Sequence, residues 1–216
     1  RWRHPEKGLI MPDDFISIAE EIGLISSIGE WVIKQACHDA SKWPHDVGVA
    51  VNLSAVQFRS PTLVLSVISN LAASDLSPQR LGLEITETVF LQDDRLVLDT
   101  LHQLRELGVR ISLDDFGAGY SSLSYLRSFP FDKIKIDRSF TRELQTKEDA
   151  VAIIQTIVQL GASLGMKVIA EGVETREQFE ILKKEGCTEV QGFLFSQPKP
   201  IGQISFEAKF RDKVAA

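Results

Sequence analysis

At 216 residues the chain has the length of one domain with a substantial core and is too short for two large ones. Hydrophobic residues make up 44%, charged residues 25%, and the net charge is −6, the composition of an ordinary globular protein. Lysine and arginine are scattered, which argues against a polynucleotide binder, because that needs a basic face to neutralise phosphates; a small phosphorylated ligand held through a metal stays open.

In chain order, helix-like and strand-like segments alternate. Residues 12–23 open on Pro12-Asp13-Asp14, acidic in the first turn where the helix dipole favours it, and predict a helix. A second helix is predicted over 29–42, stopped near Pro44, followed by a strand over 47–53 and a helix over 61–74. Residues 81–86 read as strand, and 93–107 as a helix closed by Gly108. Strand 109–115 leads into a short helix over 121–128, ended by Phe129-Pro130. Strand 133–137, helix 147–164 with Gly165 as its stop, strand 167–171, helix 175–185 and strand 189–195 complete the series. The longest apolar stretch, 150–164, carries Gln155 and Gln159 four apart and reads as an amphipathic helix, well short of the ~20 apolar residues of a membrane span. Cys37 and Cys187 form no Cys-x-x-Cys pair and read as reduced thiols of a cytoplasmic protein. The four histidines show no metal-ligand spacing.

Strands alternating with helices of this length imply parallel strands joined by crossover helices. A closed barrel and an open doubly wound sheet both satisfy that order. Alternation within the strands separates them, because strands buried on both faces of an open sheet are almost wholly apolar. Here Gly82, Glu84 and Thr86 share one face, as do Arg110, Ser112 and Asp114, and Lys133, Lys135 and Asp137. Leu83 and Ile85, Val109, Ile111 and Leu113, and Ile134 and Ile136 share the other. Apolar faces packed on helices, with polar faces meeting at a centre, describe a β/α barrel, and residues 1–216 are expected to form one such domain.

The densest chemistry lies at Ile111-Ser-Leu-Asp-Asp-Phe-Gly-Ala-Gly-Tyr120, where a strand ends on two adjacent carboxylates and breaks into a glycine-rich loop. Two neighbouring aspartates repel unless a cation sits between them. Asn52, Glu84 with Glu87, Lys135 with Asp137, Glu171 with Glu174, and Gln191 lie near other strand ends, the catalytic face of a barrel. Each has a plain explanation as a turn residue, a solvated charge or a helix entry; together they describe one site. Oxygen ligands without Cys or His favour Mg²⁺ or Mn²⁺, and the number of carboxylates suggests two ions. Metal pairs about 3.5–4 Å apart suit in-line phosphoryl displacement, with Lys135 offsetting transition-state charge or lowering the pKa of the attacking water. The residues themselves therefore predict metal-dependent phosphate-ester hydrolysis. Enolase-type barrels share these parts and use Lys as a base; the carboxylate count favours the hydrolase.

Val51-Asn-Leu-Ser54, Leu83-Glu-Ile-Thr-Glu-Thr88, Asp114-Asp-Phe-Gly-Ala-Gly-Tyr-Ser-Ser-Leu123, Lys133-Ile-Lys-Ile-Asp-Arg-Ser-Phe140, Ala170-Glu-Gly-Val-Glu-Thr175 and Gln191-Gly-Phe-Leu-Phe195 closely resemble the EAL family of bacterial phosphodiesterases, which hydrolyse cyclic di-GMP to linear pGpG. The resemblance implies a TIM-like (β/α)8 barrel and carries roles by position. Asn52, Glu84 and Asp114 would hold one metal, and Asp114, Asp115 and Glu171 the second. Lys135 would contact the nucleophilic water, with Glu171 orienting it or acting as base. Glu87 would anchor the loop 114–122, which in the family also couples the site to dimerisation, and Arg1, Glu174 and Gln191 would lie along the dinucleotide. A homodimer and an upstream sensor or GGDEF-type domain, through which the parent protein could be tethered to a membrane, are expected partners.

In the family a Glu-Ala-Leu strand supplies a further metal-ligating Glu four positions before the Arg matching Arg1, and this sequence starts after it, without an initiator Met. The expectation is a chain cut at its N-terminus and a barrel lacking its opening strand. Ala118 stands where Thr is commoner. A non-catalytic cyclic di-GMP receptor is the second reading; such receptors usually lose metal ligands or the loop motif, and here Asn52, Glu84, Asp114, Asp115, Lys135 and Glu171 are all present.

Overall fold

The computed structural model describes residues 1–90, 95–119, 123–144 and 147–206. A hairpin, β1 (Trp2–His4) and β2 (Gly8–Ile10), leads into α1 (Pro12–Glu21) and α2 (Ile25–Ala40). Then β3 (Val49–Leu53), α3 (Leu63–Ser74), β4 (Leu81–Thr86), α4 (Arg95–Glu106), β5 (Arg110–Phe116), α5 (Leu123–Ser128) and β6 (Lys133–Ile136) alternate. The chain continues through α6 (Arg138–Glu143), α7 (Glu148–Leu164), β7 (Lys167–Ala170), α8 (Arg176–Lys184) and β8 (Glu189–Val190). Positions 93–94 and 121–122 of two predicted helices, and part of the 114–122 loop, lie outside the described residues.

β3 to β8 form one parallel sheet whose spatial order is the chain order. A doubly wound sheet reverses direction at a switch point; this one never does. Right-handed crossovers then set the helices on one face and curl the sheet around the other. The fold is thus a (β/α)8-type barrel, with β3 and β8 as the sheet's two edges among the described residues. Its helix-facing layer joins Leu83, Ile85, Ile111, Leu113, Ile134 and Ile136 to Ile33, Val67, Leu101, Leu104 and Ile154, all fully buried. Each such side chain contributes about 2 kcal/mol.

Four differences from the sequence reading have a clear local reason. α2 starts four residues earlier than the predicted 29–42, so Gly29 lies inside it. A Cβ there would overlap the Gln57 amide at 1.9 Å, and close packing outweighs the roughly 1 kcal/mol that glycine costs a helix. α6 was not predicted; Asp137 starts it by accepting from the Ser139 backbone and hydroxyl. The β1–β2 hairpin was also missed, its turn held by Glu6 and Lys7 N–H groups donating to His4 Nδ1. The last strand ends at Val190 instead of running to 195, because Gln191 leaves the sheet to bond the backbone of the 171–174 loop: Val173 N–H donates to the Gln191 carbonyl. Gly192 then passes so close that a Cβ would sit 2.1 Å from the Val173 carbonyl oxygen.

Cys37 and Cys187 are free and buried, and burial pushes their thiols up to about 11 and about 12, so neither is a ready nucleophile. No helix among the described residues is long and apolar enough to cross a membrane.

Candidate active site

Parallel register brings the polar positions into line. Asn52 on β3 is level with Glu84 on β4, Glu84 with Ser112 on β5, and Thr86 with Asp114. Lys135 on β6 stands beside Ile169 of β7, and Glu171 follows β7 directly. The side chains meet at the C-terminal ends of the strands. Lys135 Nζ lies 2.7 Å from Glu84 Oε2, 2.9 Å from Asp114 Oδ1 and 2.6 Å from Glu171 Oε1. Its side chain is 2% exposed, so one buried ammonium ties β6 to β4, to β5 and to the residue that follows β7.

Burial works against that ammonium, but Glu84, Asp114 and Glu171 outweigh it and hold Lys135 above its ordinary range. It stays a cation. A lysine base, as the enolase-type alternative needs, would have to be neutral at working pH, and this environment opposes that.

Adjacent strand residues point to opposite faces, so regular β5 would direct Asp115 away from Asp114. A register shift between Leu113 and Phe116 breaks the alternation, and Asp115 adopts a left-handed backbone with φ 52°. Phe116 is thereby returned to the core. Carboxylate oxygens of Asp114, Asp115 and Glu171 all lie within 4.8 Å of one another. Four acids (Glu84, Asp114, Asp115, Glu171) against one lysine leave a formal charge of −3.

Burial raises the Asp115 carboxyl above its usual range, and Asp114 and Asp137 add to the shift. Glu171 is raised as well, first by burial and then by Asp114 and Glu84, against the pull of Lys135. Protons and a cation compete for these oxygens. Lowering the pH protonates such raised groups before ordinary carboxylates, so the half-saturating concentration of a divalent cation is expected to rise as pH falls from neutral toward the carboxylate range. Titration of Mn²⁺-dependent stabilisation at several pH values measures this.

Asp137, grouped with Lys135 by sequence, has another task. Burial opposes its charge, but the Ser139 hydrogen bonds hold its carboxyl below the ordinary range, as suits a helix cap. Glu87 opens a short 3-10 helix, Glu87–Phe90, secured by Phe90 stacking on Tyr125 at 4.9 Å. Gly117 N–H donates to Glu87 Oε1 at 3.3 Å, and a Cβ on Gly117 would meet the Phe140 ring of α6 at 2.9 Å. Glu87→Ala is expected to raise the metal concentration needed for activity severalfold without removing a ligand. Hydrogen exchange at the Gly117 amide should quicken, and an unchanged exchange rate contradicts the anchor.

Asn52, Glu174 and Gln191 are exposed near the same strand ends. Arg1 is exposed at the start of the N-terminal hairpin, away from the Lys135 cluster in the chain and bonded to none of its members. Sequence reasoning overlooked Phe140 and Gly192, which shape the loops around the carboxylates; both stand inside the quoted motifs, where an aromatic after a strand and a glycine beyond one were the available signals.

The EAL-domain family model matches residues 1–198. The bifunctional diguanylate cyclase/cyclic di-GMP phosphodiesterase MucR of Pseudomonas aeruginosa is 47% identical over 208 residues, 94% of this chain and 30% of that protein. The solved phosphodiesterase of PaMucR in complex with c-di-GMP superposes with a TM-score of 0.90 at 47% identity, covering 94% of this chain and 84% of that one. Klebsiella pneumoniae BlrP1, solved as a manganese/cy-diGMP complex, superposes with a TM-score of 0.78 at 34% identity, covering 88% and 49%. The chain spans about a quarter to a third of the length of the curated relatives it matches.

Proposed function

Because the chain belongs to the EAL-domain family, we propose that it hydrolyses cyclic di-GMP to linear pGpG with the help of hard divalent cations. The observation that carries this reading is the buried Lys135 ringed by Glu84, Asp114 and Glu171, with Asp115 turned in beside them. Relatives whose structures hold cyclic di-GMP, one of them with manganese, support the substrate and the class of ion.

The donor set fits such ions: only oxygen ligands, crowded and negative in sum. Two Mg²⁺ or Mn²⁺ ions are proposed, one held by Asn52, Glu84 and Asp114, the other by Asp114, Asp115 and Glu171. When bound, they polarise the phosphodiester and lower the pKa of water. A formal −3, two divalent cations and one diester phosphate sum to zero, which argues for two ions over one.

Glu171, with its raised carboxyl and its place beside Lys135, takes the proton of the attacking water. Water oxygen attacks phosphorus, the P–O3′ bond breaks, and the leaving 3′ oxygen takes a proton from solvent, to which Glu171 returns the one it accepted. Lys135, fixed as a cation, offsets the negative charge that grows on the phosphoryl oxygens. Arg1, Glu174 and Gln191 are proposed to line the dinucleotide beyond the reacting phosphate. A single domain over 1–216, a homodimer, a cytoplasmic setting and a longer parent chain with a GGDEF-type or sensor domain complete the proposal; the bifunctional MucR supports its last part.

Exhaustive chelation should abolish hydrolysis, and Mg²⁺ or Mn²⁺ should restore it. Ca²⁺, larger and tolerant of irregular geometry, should bind and inhibit. Undiminished turnover after chelation would defeat the metal role; tight binding without cleavage under Mn²⁺ would favour the receptor.

A further inference from the structure

One residue past the strand that bears Asn52, the chain is braced in three ways. Ser54 Oγ donates to Glu20 Oε1 at 2.5 Å, spanning from the turn after β3 to α1. The same Oγ accepts from Val56 N–H, and Ser54 N–H donates to Gln57 Oε1. Gln57 in turn is buried in the slot left open by Gly29 of α2.

The α1 side of this brace is thinly held. Ala19 is the only buried residue of α1. Ile18 and Ile22 face solvent, as do Leu9 and Met11 of the preceding hairpin and connection. Trp2 packs edge-on to Phe15 at 5.8 Å, so hairpin and helix form a small unit of their own. With so little apolar burial, a polar bond has unusual weight in setting where that unit sits.

We propose that Glu20 and Ser54 are positioning residues: their hydrogen bond registers the hairpin–α1 unit, and Arg1 with it, against the strand end that presents Asn52. This rests on the reading of the site as one for cyclic di-GMP. Neither residue touches the reacting atoms. Each acts through another: Ser54 on Asn52 two positions earlier, Glu20 on Arg1 through the hairpin. With Mn²⁺ saturating, so that the Asn52 ion stays loaded, the brace therefore governs how tightly the dinucleotide is held, and leaves the Lys135–Glu171 chemistry alone.

The experiment compares the parent with Glu20→Ala, Glu20→Gln, Ser54→Ala and the Glu20→Ala/Ser54→Ala double variant, using cyclic di-GMP and Mn²⁺. For Glu20→Ala the KM should rise about five- to tenfold with kcat within about twofold, and amides of residues 2–23 should exchange faster while those of β4 to β7 do not. Glu20→Gln, whose carbonyl oxygen can still accept from Ser54, should restore KM. The double variant should be no worse than Ser54→Ala alone, since one bond is lost in both. A kcat loss at constant KM, a KM that Gln does not restore, or additive losses in the double variant would overturn the proposal. If the parent cleaves nothing, the hydrolase reading fails while dinucleotide affinity under Ca²⁺ and the exchange pattern still decide the brace. Unchanged exchange over 2–23 in Glu20→Ala overturns it on its own.

Discussion

Lys135→Ala should lower the turnover number by about a hundred- to a thousandfold, the range spanned by loss of one preorganised transition-state charge contact, while cyclic di-GMP affinity changes by less than about tenfold. The reason lies in what Lys135 already touches. Its ammonium is committed to Glu84, Asp114 and Glu171 at 2.6–2.9 Å, so it has little attraction left for a ground-state phosphodiester. That attraction grows only as negative charge builds on the phosphoryl oxygens, which is when an interaction accelerates a reaction. Removing the lysine also leaves three poorly exposed carboxylates without their cation, a loss of about 3–5 kcal/mol for a broken buried pair. The comparison therefore belongs in saturating Mn²⁺, with the folded fraction checked by near-ultraviolet circular dichroism. Lys135→Met, nearly as long and neutral, controls for the cavity. If either variant loses affinity yet keeps its turnover number, Lys135 is a ground-state contact and the role assigned to it is wrong.

Much of this site was legible because barrels convert a one-dimensional pattern into a place. The alternation of Glu84, Thr86, Ser112, Asp114 and Lys135 with apolar neighbours marks which face each occupies, and parallel register does the rest. Asp115 was legible only as composition. Period 2 sends it away from Asp114, and no residue nearby announces the register shift and left-handed backbone that bring it back. Gln191 likewise looked like strand, since its departure depends on a hydrogen bond to Val173, a residue eighteen positions earlier. α6 escaped notice because six polar-rich residues carry no periodicity, and its Asp137 cap resembled a ligand. Arg1 owes its proposed role to family resemblance alone; Glu174 and Gln191 were legible as polar residues at strand ends, and only their place along the dinucleotide comes from the resemblance.

Asp115 offers a prediction of two opposite signs. Asparagine matches aspartate in shape and tolerates the left-handed region nearly as well, so Asp115→Asn should keep φ near 52° and the fold with it. Without metal, the variant removes one of four crowded negative charges. It should be more stable than the parent at neutral pH, by no more than about 1 kcal/mol because Asp115 is partly solvated, or about 2–4 °C in Tm for a chain of this size. The sign with pH follows from the raised carboxyl. An acid whose pKa is higher in the folded state binds its proton more tightly there, so its ionisation destabilises the fold as pH rises through that range. The metal-free parent should therefore regain ground on the variant as pH falls toward the carboxylate range. With Mn²⁺ the order reverses. A ligand present at a hundred times its dissociation constant stabilises by about 2.7 kcal/mol, and the parent should collect most of that while the asparagine variant, lacking one charged oxygen donor, collects far less. Melting curves with and without Mn²⁺ should thus cross between the two proteins. Curves that run parallel would mean that Asp115 holds no metal, and that the register shift which turns it inward has some other purpose.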